Sequence, residues 1–100
     1  MLSLLDDMEE WALLRPVSDT GPSIVFRRGR IDVAKLSADV SFASTVRLGS
    51  VAVWETGELE AEILEIESED RVFVLSAIVR RSEDIVQILD RVYEIVLHGA

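Results

Sequence analysis

The start of the chain has the hydrophobic period of an amphipathic helix. One sector of a helical wheel holds the apolar residues Leu4, Leu5, Met8, Trp11 and Ala12. Ser3 precedes this stripe and is suited to cap a helix N-terminus. Pro16 disfavours helical geometry in the residue before it. The pattern therefore predicts a helix that starts after Ser3 and ends near Arg15.

Beyond Ser23 the hydrophobic period changes to the alternation that is typical of strands. Alternating apolar positions are Ile24, Phe26, Ile31 and Val33. Arg28-Gly29-Arg30 divides them and indicates either a turn or a bulge within one long strand. In residues 36–45, Val40 and Phe42 suggest a short strand, although serine and alanine dilute the pattern.

Three further segments, residues 46–55, 58–67 and 71–80, predict successive antiparallel strands. Thr56-Gly57 predicts a tight turn between the first two, because glycine readily adopts positive φ. Within the second strand the apolar phase changes at Ile63 and Leu64. Such a change predicts a β-bulge at that point.

Residues 82–97 predict a second amphipathic helix. Its apolar stripe consists of Ile85, Ile88, Leu89, Val92, Ile95 and Val96. The whole chain is thus predicted to be a single α+β domain, residues 1–100. We expect an N-terminal helix, an antiparallel meander of four to five strands, and a C-terminal helix packed on the sheet.

The last predicted strand is apolar on both of its faces, and so is the segment 51–54. Antiparallel sheets usually have one solvated face, and two helices cover only one face of a sheet this wide. Either the helices lie on opposite faces, or the second face meets a partner. We expect the second arrangement, in which the face of Trp54 is not covered by the chain's own helices and a homodimer is one option.

Nineteen acidic and ten basic residues give a net charge of −9. This charge repels nucleic acid and attracts a basic protein.

The chain has no cysteine and one histidine, His98, so we expect no metal, no cofactor and no catalytic residues. No apolar run is long enough for a membrane helix, and the acidic start is unlike a signal peptide. These features favour a cytoplasmic location.

An acidic run occupies residues 55–70 and contains no base. Its members are Glu55, Glu58, Glu60, Glu62, Glu65, Glu67, Glu69 and Asp70. In a strand, the side chains at 58, 60 and 62 share one face at a spacing of ~7 Å. Aligned like charges repel, which indicates either a docking surface for a basic protein or a solvated strand face. All the glutamates of such a row are exposed to solvent in the same way. Acid–base catalysis instead needs one buried carboxyl group with a raised pKa and one ionised carboxylate.

Trp54 lies beside the predicted Thr56-Gly57 turn, where it is either a core residue or an aromatic anchor of a binding surface. The predicted partner-binding residues are therefore Trp54, Glu55, Glu58, Glu60 and Glu62.

The segment V-x-V-W-E-T-G (Val51 to Gly57), the return strand E-L-E-A-E-I-L and the later S-E-D-I-V-Q-I-L resemble the TriTu group of immunity proteins. The resemblance covers about residues 46–96, and only Trp54, Glu55 and Gly57 match a recognisable motif. It implies a small cytoplasmic protein that neutralises a toxin of a bacterial polymorphic-toxin system by direct binding, with no catalytic residues.

Two other classes of function are compatible with the sequence pattern. The first is a small acidic homodimer, similar to a secretion chaperone, that holds an extended effector segment in apolar grooves. The second is an enzyme or small-molecule domain, which requires a pocket with convergent polar groups that the sequence does not indicate.

Overall fold

The computed structural model describes residues 3–15, 21–29 and 34–98, and of His98 it describes the backbone alone. The elements are α1 (Leu4–Leu13), β1 (Ser23–Arg28), β2 (Ser37–Ala43), β3 (Arg47–Trp54), β4 (Glu58–Glu65), β5 (Arg71–Ile78) and α2 (Ser82–His98). All neighbouring strands pair antiparallel, in the sheet order β1-β2-β3-β4-β5. The predicted α+β architecture, with a five-stranded meander between two helices, is confirmed.

Two local predictions for the meander are confirmed, and the strand suggested at 36–45 is present as β2. Gly57 lies in the β3–β4 turn at φ 105°, and its N–H donates to the Trp54 carbonyl at 2.9 Å. The register between β4 and β5 shifts at Ile63/Leu64, where a bulge is predicted, and the extra residue is Val72 of β5. The predicted apolar positions Ile31 and Val33 lie outside the described residues.

Both helices lie on the same face of the sheet and contact each other. Helix α1 packs over β1, β2 and β3, while α2 packs over β2, β3 and β4. The buried core between the layers consists of Leu5, Met8, Trp11, Ala38, Val40, Phe42, Val51, Val53, Leu59, Ala61, Ile63, Val79, Ile85, Leu89, Val92 and Val96. Both predicted helical stripes contribute to this core, so the opposite sheet face has no helix of the described chain on it.

Helix α1 begins as its sequence predicts, because the Ser3 Oγ accepts a hydrogen bond from the Asp6 N–H at 3.1 Å. It ends at Leu13, slightly before the predicted boundary. The Trp11 indole is buried and meets the ring of Phe42 edge-on, at a centroid distance of 5.8 Å. Trp11 is thus a core residue, as its position in the apolar stripe of α1 predicts.

Arg47 is a buried charge that the hydrophobic pattern does not predict. Its Nη1 donates to the backbone carbonyl of Ile95 at 3.0 Å, and its Nη2 lies 3.7 Å from a carboxylate oxygen of Glu65. Carbonyls in the last turn of a helix lack intrahelical partners, and a cation at that end is favourable. Arg47 therefore fixes the C-terminal end of α2 to β3.

Candidate functional site

The sheet face opposite the helices, which we call the open face, carries the predicted binding residues on its central strands. Strand pairing aligns Glu60 with Ala52 on β3 and Ser76 on β5. Glu62 is aligned in the same way with Ser50 and Val74. Because side chains alternate along a strand, Glu58, Glu60 and Glu62 form a row down the middle of the open face.

Trp54 and Glu58 share a cation at one end of this row. The Lys35 Nζ lies 3.3 Å from the Glu58 Oε1 and 5.8 Å from the centroid of the Trp54 ring. The Thr56 hydroxyl donates to the other Glu58 oxygen. That hydrogen bond, the backbone N–H of Glu58 and the nearby Lys35 together hold the pKa of Glu58 below its usual value. Trp54 is only half-buried, so it is not the core residue that one interpretation of the sequence allowed.

The other two glutamates of the row have different partners. The Ser76 Oγ donates to the Glu60 Oε2 at 2.5 Å, and the Arg71 Nε lies 3.3 Å from the Glu62 Oε1. Among the described residues, no cation forms an ion pair with Glu60, which is exposed. The bases that compensate Glu58 and Glu62 come from outside the acidic run, so the run's sequence alone could not show them. Glu60 is therefore the least compensated charge at the centre of the open face.

Glu55 lies at the edge of this arrangement. It is exposed in the turn after β3, and its N–H donates to the Leu36 carbonyl at 2.9 Å, which prolongs the pairing of β2 with β3. The structure thus brings Trp54, Glu58, Glu60 and Glu62 together on one face and places Glu55 beside them at the end of the sheet.

The rest of the open face is largely apolar. Its exposed apolar side chains, between 41% and 59% accessible, are Val25, Leu48, Val72, Val74 and Ile78. A third ion pair joins Arg27 to Asp39, with 3.5 Å between Nε and Oδ1. The prediction that the face of Trp54 is not covered by the chain's helices is confirmed for the described residues. The open face combines apolar area, an aromatic ring and a row of acids, a composition suited to contact with another protein.

This arrangement does not provide the usual elements of catalysis or metal binding. The row of glutamates is spread along an open strand, so it lacks the paired buried and ionised carboxylates of acid–base enzymes. In the described parts of the chain, no three His, Cys, Asp or Glu side chains cluster closely enough to hold a metal ion. Within the same residues, no helix has both the length and the apolar composition to span a membrane.

Comparison with known proteins identifies the family. The family described as "Immunity protein TriTu" matches residues 8–95, which include the C-terminal part of α1, all five strands and most of α2. No individual curated protein matches the chain significantly. The match extends beyond the sequence resemblance, which covers about residues 46–96, into the N-terminal half of the chain. The chain therefore belongs to the TriTu family of immunity proteins.

Proposed function

We propose that this chain is a cytoplasmic, non-enzymatic immunity protein that neutralises a cognate toxin by binding it directly through the open face. Membership of the TriTu family supports the toxin-neutralising role. The observation that supports the docking surface is a five-stranded sheet face, without a helix from the described chain, that presents Trp54 and the glutamate row. Blocking a toxin needs a rigid complementary surface and no reacting group.

The charge of the open face favours a basic partner. Glu60 is exposed and faces a neutral hydroxyl, so a partner's arginine or lysine would gain a charge-assisted hydrogen bond there. Lys35 and Arg71 are themselves 44% and 66% exposed, so their ion pairs with Glu58 and Glu62 stabilise the fold little. Cations of a partner can therefore take the places of Lys35 and Arg71 beside these two glutamates. The net charge of −9 would also attract a basic toxin over a distance.

The apolar part of the open face would provide the rest of the affinity. Trp54 is half-buried and held beside Lys35, so little conformational entropy is lost when a partner covers it. Val74 and Ile78 border the glutamate row on the β5 side and expose 59% and 58% of their surface. Aromatic anchors surrounded by apolar side chains are typical of energetic centres in protein interfaces.

The proposal is tested by co-expression with candidate toxin domains from the same genome. The expected result is restored growth with one cognate toxin, together with a stable complex of the two purified proteins. A Trp54→Ser variant should fold normally and lose both protection and complex formation, whereas Gln87→Ser, on the exposed side of α2, should retain both. Protection by Trp54→Ser equal to wild type would contradict the open face as the docking surface.

The same experiment distinguishes the secretion-chaperone alternative. An immunity protein binds the folded toxin, whereas a chaperone of that class would bind an extended segment and release it on folding. Binding should therefore be compared for the folded toxin and for a denatured fragment of it. Preference for the denatured fragment, without growth protection, would reject the proposed function.

A further inference from the structure

A cavity of about 270 Å³ lies between α1 and α2, in the helix layer behind the sheet. Its wall consists of Ser82 and Val86 from α2 and, from α1 and the residues just after it, Asp7, Glu10, Trp11, Leu14 and Arg15. Positions 7, 10, 11 and 14 are spaced by three or four residues, so they share one face of the helix. That face meets α2, and the Asp7 side chain is therefore directed into the cavity.

Asp7 is a buried acid without a compensating partner. It is only 9% exposed, and its carboxylate forms no hydrogen bond and no ion pair with any residue that the structure describes. Burial of a carboxylate is unfavourable unless a cation or a hydrogen-bond donor compensates it, and buried aspartates are rare without such a partner. The position of Asp7 near the start of α1 is favourable for an acid, but a helix dipole offsets only part of this cost.

The bases near this cavity are engaged with other acids. Arg15 lines the cavity, but its guanidinium donates to Asp90. Arg28 pairs with two other acids of α1. Neither base neutralises Asp7, and the exposed Glu10 adds a second carboxylate to the same wall. The cavity therefore presents negative charge to whatever enters it.

The composition of the wall favours an organic cation with an aliphatic stem. A metal ion needs more ligands than two carboxylates, and among the described residues no three acids or histidines cluster closely enough to hold one. Trp11, Leu14 and Val86 provide an apolar surface, which suits the stem of a lysine or arginine side chain. The volume lies just below the ~300–1,000 Å³ of small-molecule pockets, so it fits one such side chain better than a larger ligand.

We propose that this cavity binds an arginine or lysine side chain of a protein partner, with the cationic group beside Asp7. Charge complementarity supports this occupant, because the cation would compensate a carboxylate that the free chain leaves buried. Leu14 is 69% exposed at the edge of the cavity. The partner's chain on either side of the basic residue would cover Leu14, whereas a free amine would leave it in water. The cavity and the open face lie on opposite sides of the sheet, so this contact does not depend on the proposed function.

Titration of the chain with short peptides, followed by the NMR signals of its backbone amides, tests the site. The probe is acetyl-Leu-Arg-Leu-amide, and acetyl-Leu-Gln-Leu-amide is the neutral control. The arginine peptide should shift the signals around the cavity and bind at least ~tenfold more tightly, because a hydrogen bond to a charged group is stronger than a neutral one. Equal affinities, or no shift at the cavity in the millimolar range, would overturn the proposal. The cation n-butylguanidinium alone should bind more weakly than the arginine peptide, and equal affinity would overturn the assignment to a protein segment.

Two pairs of variants locate the binding site. Asp7→Asn removes the charge with little change of shape and should weaken binding of the arginine peptide ~tenfold. Asp6→Asn, in the same helical turn, should bind the peptide as the wild type does. Leu14→Lys adds a cation at the cavity and should also weaken binding, whereas Leu13→Lys, at a 79% exposed position outside the cavity wall, should not. If the two members of either pair bind the peptide equally, the cavity is not its site.

The melting temperature distinguishes a binding site from a structural role of Asp7. Asp6→Asn loses its ion pair with Arg28 and should melt below the wild type. Asp7→Asn loses no partner in the free chain, so it should melt above Asp6→Asn, and the arginine peptide should raise the melting temperature of the wild type more than that of Asp7→Asn. A decrease for Asp7→Asn as large as that for Asp6→Asn would show that the folded chain itself compensates Asp7, and would overturn the site. All these measurements use the chain without a toxin, so their outcome is separate from that of the proposed function.

Discussion

The indole Nε1 of Trp11 donates a 2.9 Å hydrogen bond to the Oδ1 of Asp90, which ties α1 to α2 across 79 positions of sequence. The Arg15 guanidinium donates to the same oxygen at 2.5 Å and lies 4.5 Å from the centre of the Trp11 ring. A buried indole N–H needs a partner, and Asp90 provides it at the margin of the core. This contact fixes the two helices against each other on one side of the sheet.

Replacing Trp11 with Phe should destabilise the fold by about 1–3 kcal/mol, because it removes the hydrogen bond to Asp90 and part of a buried ring. Asp90→Asn keeps an acceptor for the indole and loses only the exposed ion pair with Arg15, so we expect about 0–1 kcal/mol. Urea unfolding of the two variants measures both changes. If Asp90→Asn is as harmful as Trp11→Phe, the ion pair and not the indole bond holds the helices together.

Leu89→Ala should lower the free energy of unfolding more than Trp11→Phe does. Leu89 is 0% exposed at the centre of the α2 stripe, and truncation of a buried leucine costs about 2–5 kcal/mol. That is a large part of the ~5–15 kcal/mol that stabilises a typical domain. Gln87→Ala, on the exposed side of the same helix, should change stability by less than ~0.5 kcal/mol. Thermal unfolding followed by circular dichroism compares them, and an unchanged melting temperature for Leu89→Ala would be inconsistent with this core.

The turn that precedes β4 depends on Gly57. At φ 105° an L side chain is strained, and a Cβ there would lie 2.5 Å from the Val79 carbonyl oxygen. Gly57→Ala should therefore destabilise the fold by at least ~1 kcal/mol. Thr56→Ala, at the neighbouring exposed position, should cost less. Denaturant midpoints measure the difference, and equal midpoints would show that the turn relaxes without cost.

Much of the fold follows from the sequence because the relevant signals are local. Residues close together in the chain determine the helical and strand periods, the Ser3 cap, the glycine at 57 and the phase change at Ile63/Leu64. The strand at residues 37–43 was harder to predict, since its serines and alanines weaken the alternation. Its assignment depends on pairing with β1 and β3 on either side, which is a property of the sheet as a whole.

The candidate site was predicted less completely, because its charge partners are distant in sequence. Alternation along one strand suffices to place Glu58, Glu60 and Glu62 on one face. The pairing of Glu62 with Arg71 requires the β4–β5 register, and that of Glu58 with Lys35 requires the position of the segment before β2. Similarly, Arg47 contacts Ile95 across 48 positions. No local pattern contains these relationships.

The lowered pKa of Glu58 predicts a pH-dependent contribution to stability. Its folded pKa lies below the ordinary value, chiefly because the Thr56 hydroxyl donates to it. Stability from this group is thus present above the unfolded pKa and is lost as the pH falls through the folded one. Carbon NMR titration of the Glu58 carboxyl should show a low pKa that Thr56→Val raises towards the ordinary value. A pKa that is unchanged in Thr56→Val would rule out the hydroxyl as its cause.

The double variant Glu60→Lys with Glu62→Lys tests whether the glutamate row contacts the toxin. Glu60 is exposed and the Glu62 side chain is 38% exposed, so stability should change by less than ~0.5–1 kcal/mol. Association with the cognate toxin, measured by stopped flow, should slow, and the complex should weaken. Raising the salt should slow the wild type more than the variant, because charge steering is screened beyond ~8–10 Å.

The control, Glu10→Lys with Glu83→Lys, makes the same charge change at exposed helix positions. If both double variants slow association equally, net charge alone attracts the toxin and the row is only a solvated strand face. If only the open-face variant also dissociates faster, the row lies within the interface, because local contacts determine dissociation.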